Sequence, residues 1–125
     1  EEIYQKIVQF LISLGFVVPN EHITETGIEE RDAQKNARDI YQRDVKWINE
    51  SDFLIAEVST PSHGVGYEIG YALDQEKPVF CLYKNGVGVS KMIEGNPHSL
   101  LTVSPYDDWQ HAKRILREYL SKMDS

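Results

Sequence analysis

The chain has 125 residues, 41% of them hydrophobic and 26% charged, with a net charge of −7. That length and balance fit one globular domain, residues 1–125, with a real core. The acidic excess, with no Lys/Arg cluster, argues against a nucleic-acid polymer as partner, and no apolar run reaches the ~18 residues of a membrane span. Taken in chain order, residues 2–14 place Ile3, Ile7, Phe10, Leu11 and Leu14 at helical spacing, and Gly15 follows as a stop. "FVVP" (16–19) reads as a short buried strand, and "NEHITETGIEE" (20–30) as a polar loop. A second helix is predicted over 31–49, with Ala33, Ala37, Ile40, Tyr41, Val45 and Ile48 inward. "DFLIAEVS" (52–59) is a strand, 65–76 a third helix, and "PVFCLYK" (78–84) another buried strand. A glycine-rich loop (85–97) with one helical turn leads to "LLTVS" (100–104), a last strand, and to a final helix over 107–122.

Strands alternate with helices, and the strands are continuous apolar runs. This pattern predicts an α/β fold: a doubly wound, flavodoxin- or Rossmann-like parallel sheet with helices on both faces. Such folds normally begin with a central strand, whereas this chain begins in a helix, so an N-terminal strand and its following loop are expected to be missing from the sequence. Sites in such sheets lie at the carboxyl ends of the strands, and "VSTPSHGVGYE" leaves such an end. The single cysteine, Cys81, sits in an apolar strand and has no internal disulfide partner. Core packing in a reducing compartment, the cytoplasm, is therefore expected, with no visible leader to direct the chain elsewhere.

Two carboxylates fall on predicted inner faces. Glu68 shares its stripe with Val65, Ile69, Ala72 and Leu73, and Asp44 shares its own with Ile40 and Ile48. Burying a carboxylate is costly unless it is paired or hydrogen-bonded, so two near one strand edge suggest a site. Blander readings stay open. Glu68 can be a first-turn acid favoured by the helix dipole, and Asp44 a surface ion-pair partner. Glu57, in "IAEVS", either points to the same edge or caps a neighbouring loop. Ser62 and His63 can be turn residues alone. No metal-ligand spacing is present, no G-x-S-x-G serine occurs, and Gly64, Gly66 and Gly70 fall short of a dinucleotide fingerprint. Paired acids suit glycoside chemistry. Gly64 and Gly66 would let the backbone approach a ligand, and the N–H groups at that helix start could hold a phosphate.

The stretch "RDVKWINESDFLIAEVSTPSHGVGYEIGYAL" resembles the nucleoside 2-deoxyribosyltransferase superfamily, and within it the 2′-deoxynucleoside 5′-phosphate N-hydrolase branch. The resemblance rests on an Asp-x-x-Trp helix, the "AEVS-x-PS" strand end and "GVGYE-x-G". It implies that Glu68 attacks C1′ of the deoxyribose and that Asp44 contacts the sugar and assists the nucleophile. It further implies that Ser62 binds the 5′-phosphate, that Gly64 and Gly66 lie beside it, and that Ser90 reaches the phosphate site of a neighbouring subunit in a homodimer. His22 is implied near the base pocket. No metal or cofactor is called for. The expected reaction is hydrolysis of a deoxynucleoside 5′-monophosphate through a glycosyl-Glu68 intermediate. The alternatives are base exchange between nucleosides, a ribonucleotide or modified-cytidylate hydrolase, and a non-catalytic nucleotide-binding module on the same fold.

Overall fold

A computed structural model describes residues 2–18 and 36–123 of the chain. The loop over 20–30, with His22, and the start of the predicted second helix lie outside the described residues. The elements are α1 (Glu2–Ser13), α2 (Ala37–Glu50), β1 (Leu54–Glu57), α3 (His63–Asp74), β2 (Val79–Lys84), α4 (Lys91–Glu94), β3 (Leu101–Tyr106) and α5 (Trp109–Met123). The chain divides into two compact units, one of residues 1–43 and 109–125, the other Asp44–Asp108.

In the first unit, α1 buries Ile7, Val8, Phe10 and Leu11, and α5 buries Ala112, Leu116 and Leu120 at four-residue spacing. Phe10 meets Trp109 edge-to-face, with ring centres 6.1 Å apart. The cationic heads of Lys113 and Arg117 lie over the same Phe10 ring, 5.8 and 5.4 Å from its centre, an arrangement the ring quadrupole favours. Gly15 ends α1 in the left-handed region, at φ +94°. Leu14 therefore falls in the turn and is exposed rather than inward. The strand expected at 16–19 does not form over its described residues: 16–18 join no ladder, and Val17 is 98% exposed. Among the described residues α2 begins at Ala37, where the side-chain Oδ1 of Asn36 accepts from Asp39 N–H at 2.8 Å.

The second unit carries a three-stranded parallel sheet in the order β1-β2-β3. Glu57 is in register with Leu82, and Leu82 with Ser104. Val79, Phe80, Cys81 and Leu82 are all buried. Since successive strand residues point to opposite faces, β2 is covered on both sides, as a continuous apolar run requires. One face of the sheet packs Val79, Cys81 and Ala56 against Ile69, Ala72 and Leu73 of α3 and Ile48 of α2. The Tyr71 hydroxyl donates to Asn49 Oδ1 at 2.9 Å, which ties α3 to α2.

Cys81 packs in this core as expected. Burial raises its thiol from an ordinary 9.0 to about 12. The folded state thus keeps a proton that the unfolded chain loses above pH 9, and stability must fall as pH rises through that window. Denaturant titrations should find little change up to about pH 8.5. From pH 9 to 10 stability should drop by up to about 1.4 kcal/mol per pH unit, and Cys81→Ala should remove that part of the alkaline limb.

Candidate active site

The β1–α3 connection builds the site. Ser62 has an extended backbone (φ −151°, ψ 123°), and its hydroxyl oxygen accepts from Val65 N–H at 3.2 Å. This is an N-cap, so α3 starts at His63, two residues earlier than the periodicity predicted. His63 is therefore the first helical residue, not a loop residue. Glu68 becomes the sixth residue of α3, and the first turn holds no acid. Because the dipole effect fades within the first turn, the reading of Glu68 as a first-turn acid favoured by the dipole loses its ground. The predicted stripe holds: Ile69, Ala72 and Leu73 are buried and Val65 is half-buried. Glu68 lies at its margin, half-buried rather than fully inside.

Asp44 is likewise half-buried. It stands six residues before the last residue of α2, as Glu68 stands six before the last residue of α3. Both helices end shortly before the strands that follow them, β1 and β2. Each carboxylate therefore lies ~9 Å along its own helix from that helix's end, on two helices that the Tyr71–Asn49 bond ties together.

Gly64 and Gly66 are exposed. A methyl group added at Gly66 would meet nothing within 4 Å, and one at Gly64 only Ser62 Oγ, at 3.9 Å. Neither has a positive φ. Packing of the described residues does not demand glycine at either position, so their small size is available to something that approaches from outside. Ser90 caps a different helix. Its oxygen accepts from Met92 N–H at 3.2 Å at the start of α4, in the connection that leaves β2. A serine hydroxyl that accepts from the backbone keeps its own proton to donate, and Ser62 and Ser90 have this property in common. His22 lies outside the described residues.

Glu57 caps the loop that leaves β1, the second of the two readings left open for it. Its Oε1 accepts from Ser59 N–H at 2.9 Å, and its Oε2 accepts from the hydroxyls of Ser59 at 2.6 Å and Tyr106 at 2.7 Å. Ser59 Oγ in turn accepts from Lys84 N–H at 2.8 Å. Burial, with the bond to Glu57 and its charge, pushes the Tyr106 phenol well above the usual tyrosine range, and Ser59 acts against that shift. Sequence reasoning marked Glu57 but missed Ser59 and Tyr106, because a contact 49 positions apart leaves no periodic signal.

The nucleoside 2-deoxyribosyltransferase family model matches residues 1–101. The chain belongs to this family. It is 39% identical over 119 residues to a protein of Methanosarcina mazei named a 2′-deoxynucleoside 5′-phosphate N-hydrolase, which covers 95% of this chain and 74% of the relative. It is 41% identical to the 5-hydroxymethyl-dUMP N-hydrolase of Esox lucius, over 94% of this chain and 83% of that one. Among solved structures, the CMP N-glycosidase of Clostridium botulinum superposes with a TM-score of 0.75 at 22% identity, covering 94% of this chain and 88% of the other. That last likeness shows a common fold. Asp44, Ser62, Gly64, Gly66, Glu68 and Ser90 all fall inside the matched range.

Among the described residues no group of three His, Cys, Asp or Glu side chains could hold a metal ion, and no helix is long and apolar enough to cross a membrane.

Proposed function

We propose that residues 1–125 act as one nucleoside 2-deoxyribosyltransferase-like domain that hydrolyses the N-glycosidic bond of 2′-deoxynucleoside 5′-monophosphates. The observation that carries this reading is Glu68, a half-buried carboxylate on the helix whose N-cap is Ser62, with Asp44 half-buried on α2. Similarity to relatives named N-hydrolases supports it.

The Glu68 carboxylate attacks C1′ of the sugar. The C1′–N bond breaks, and the base leaves with that electron pair and takes up a proton. Positive charge that develops on the ring is stabilised by the Asp44 carboxylate. Water then attacks C1′ of the glycosyl ester, which releases 2-deoxyribose 5-phosphate and restores the carboxylate. Ser62 and the exposed N–H groups at the start of α3 hold the phosphate, and helix starts do so without net positive charge. An acidic protein can thus bind an acidic substrate. Ser90 serves the phosphate of a second copy in a homodimer.

The deciding experiment is product analysis with deoxynucleoside monophosphates, 5-hydroxymethyl-dUMP, CMP and unphosphorylated deoxynucleosides, each with and without an acceptor base. Free base and 2-deoxyribose 5-phosphate from the deoxy monophosphates alone is the expected result. Base exchange between unphosphorylated nucleosides would replace this reading with a transferase, and release from CMP with a ribonucleotide hydrolase.

A further inference from the structure

Glu57 is the acid that this reaction leaves unused. It ends β1, a strand that otherwise reads Leu, Ile, Ala. A half-buried carboxylate against a buried tyrosine is not the cheapest way to finish such a strand, since an apolar pair of similar volume is often as stable. What the carboxylate supplies is direction. Val58 N–H still bonds Leu82 C=O at 2.8 Å, as a further rung of the ladder. One residue later the ladder is continued by a side chain, because Lys84 N–H is taken by Ser59 Oγ. Glu57 holds Ser59 by both its N–H and its hydroxyl, and Tyr106, the last residue of β3, holds Glu57. Directly to Tyr106 and through Ser59 to Lys84, one carboxylate thus links the carboxyl ends of all three strands, and it does so five residues before Ser62.

We infer that Glu57, held by Tyr106 and Ser59, is a positioning residue that fixes where the chain leaves β1 and so sets the place of the Ser62 turn on the substrate phosphate. The phosphate part rests on the reading given under Proposed function. Glu68 is less dependent on the clamp, because the neighbouring Ile69, Ala72 and Leu73 anchor its helix in the core. Loss of the clamp should therefore be felt in phosphate recognition before it is felt in the bond-breaking step.

The test is Tyr106→Phe, which removes one hydroxyl and keeps the ring, with Ser59→Ala as the second variant. KM for a deoxynucleoside monophosphate should rise roughly tenfold or more, the scale expected when a positioned group shifts by a fraction of an ångström to an ångström, while kcat changes less than about threefold. The double variant should lose less than the product of the two single losses, as members of one network do. A merely structural role would lower kcat in proportion to the folded fraction and leave KM unchanged, and that result overturns the inference. Amide hydrogen exchange provides an arm that needs no turnover. Either variant should speed exchange at residues 59–66 by roughly tenfold while residues 79–82 stay protected. Unchanged exchange at 59–66 overturns the clamp whatever the enzyme does. If the wild-type protein releases no base yet the exchange changes as described, the proposed reaction falls and the clamp on the turn stands.

Discussion

Glu68→Gln is expected to reduce base release from deoxynucleoside monophosphates by at least roughly 10³-fold, while the protein folds as before. Gln keeps the size and the helix propensity of Glu. Position 68 is half-buried in the second turn of α3, past the reach of any capping role, so the stability change should stay within about 0.5 kcal/mol. Binding of 2-deoxyribose 5-phosphate should persist within a few-fold, because the phosphate contacts are assigned to Ser62 and the helix start. Rate lost with binding kept identifies a nucleophile; a non-catalytic binding module would have no rate to lose. A wild-type reaction quenched during turnover should carry the sugar as an ester on the peptide that contains Glu68. If Glu68→Gln retains more than a tenth of the wild-type rate, another group makes the bond. The same variant examines the dimer. When Glu68→Gln is mixed with Ser90→Ala and subunits exchange, a site that takes Glu68 from one copy and Ser90 from the other becomes whole in one half of each mixed dimer, and about a quarter of wild-type activity should return.

Much of this arrangement is legible in the sequence. The apolar runs at 52–59, 78–84 and 100–104 predict parallel strands, and these form at Leu54–Glu57, Val79–Lys84 and Leu101–Tyr106, with β2 the most deeply buried of the three. The stripe of Ile69, Ala72 and Leu73 likewise fixed which side of α3 meets the sheet, and with it the margin on which Glu68 lies. Failures came where period alone cannot decide. "FVV" is as apolar as a strand, but a strand exists only with a partner to complete its ladder, and no periodicity reports the partner. The periodicity puts the start of α3 at 65, two residues late, because Ser62 and His63 read as loop. A serine three residues ahead of the N–H it accepts from is a cap signature that the pattern of apolar residues does not contain. The Glu57–Tyr106 bond is a long-range contact between two strand ends. Glu57 could be singled out as an acid in an apolar strand, but its partner became visible only once β1, β2 and β3 were laid side by side.

Ser62→Asp should separate two roles that one hydroxyl combines. As a cap, Asp equals Ser: its carboxylate can accept from Val65 N–H as Ser62 Oγ does at 3.2 Å, and the helix dipole favours an anion there. The thermal midpoint should therefore hold or rise slightly. As a phosphate ligand, Asp is the opposite of Ser, because it offers no proton and places a negative charge where the phosphate must sit. Like charges a few ångströms apart near a protein surface repel strongly enough to lower kcat/KM for a deoxynucleoside monophosphate by roughly 10²–10³-fold. Raising the ionic strength should shrink that loss, since an exposed repulsion is screened. An unphosphorylated deoxynucleoside carries no charge to repel, so whatever slow reaction it shows with the wild type should survive the substitution. The ratio of the two kcat/KM values is thus the quantity to measure. A ratio that collapses, in a protein as stable as the wild type, puts the phosphate at Ser62. Equal losses for both substrates would mean that Ser62 serves the geometry of α3 and Glu68 alone, and that the phosphate is held elsewhere.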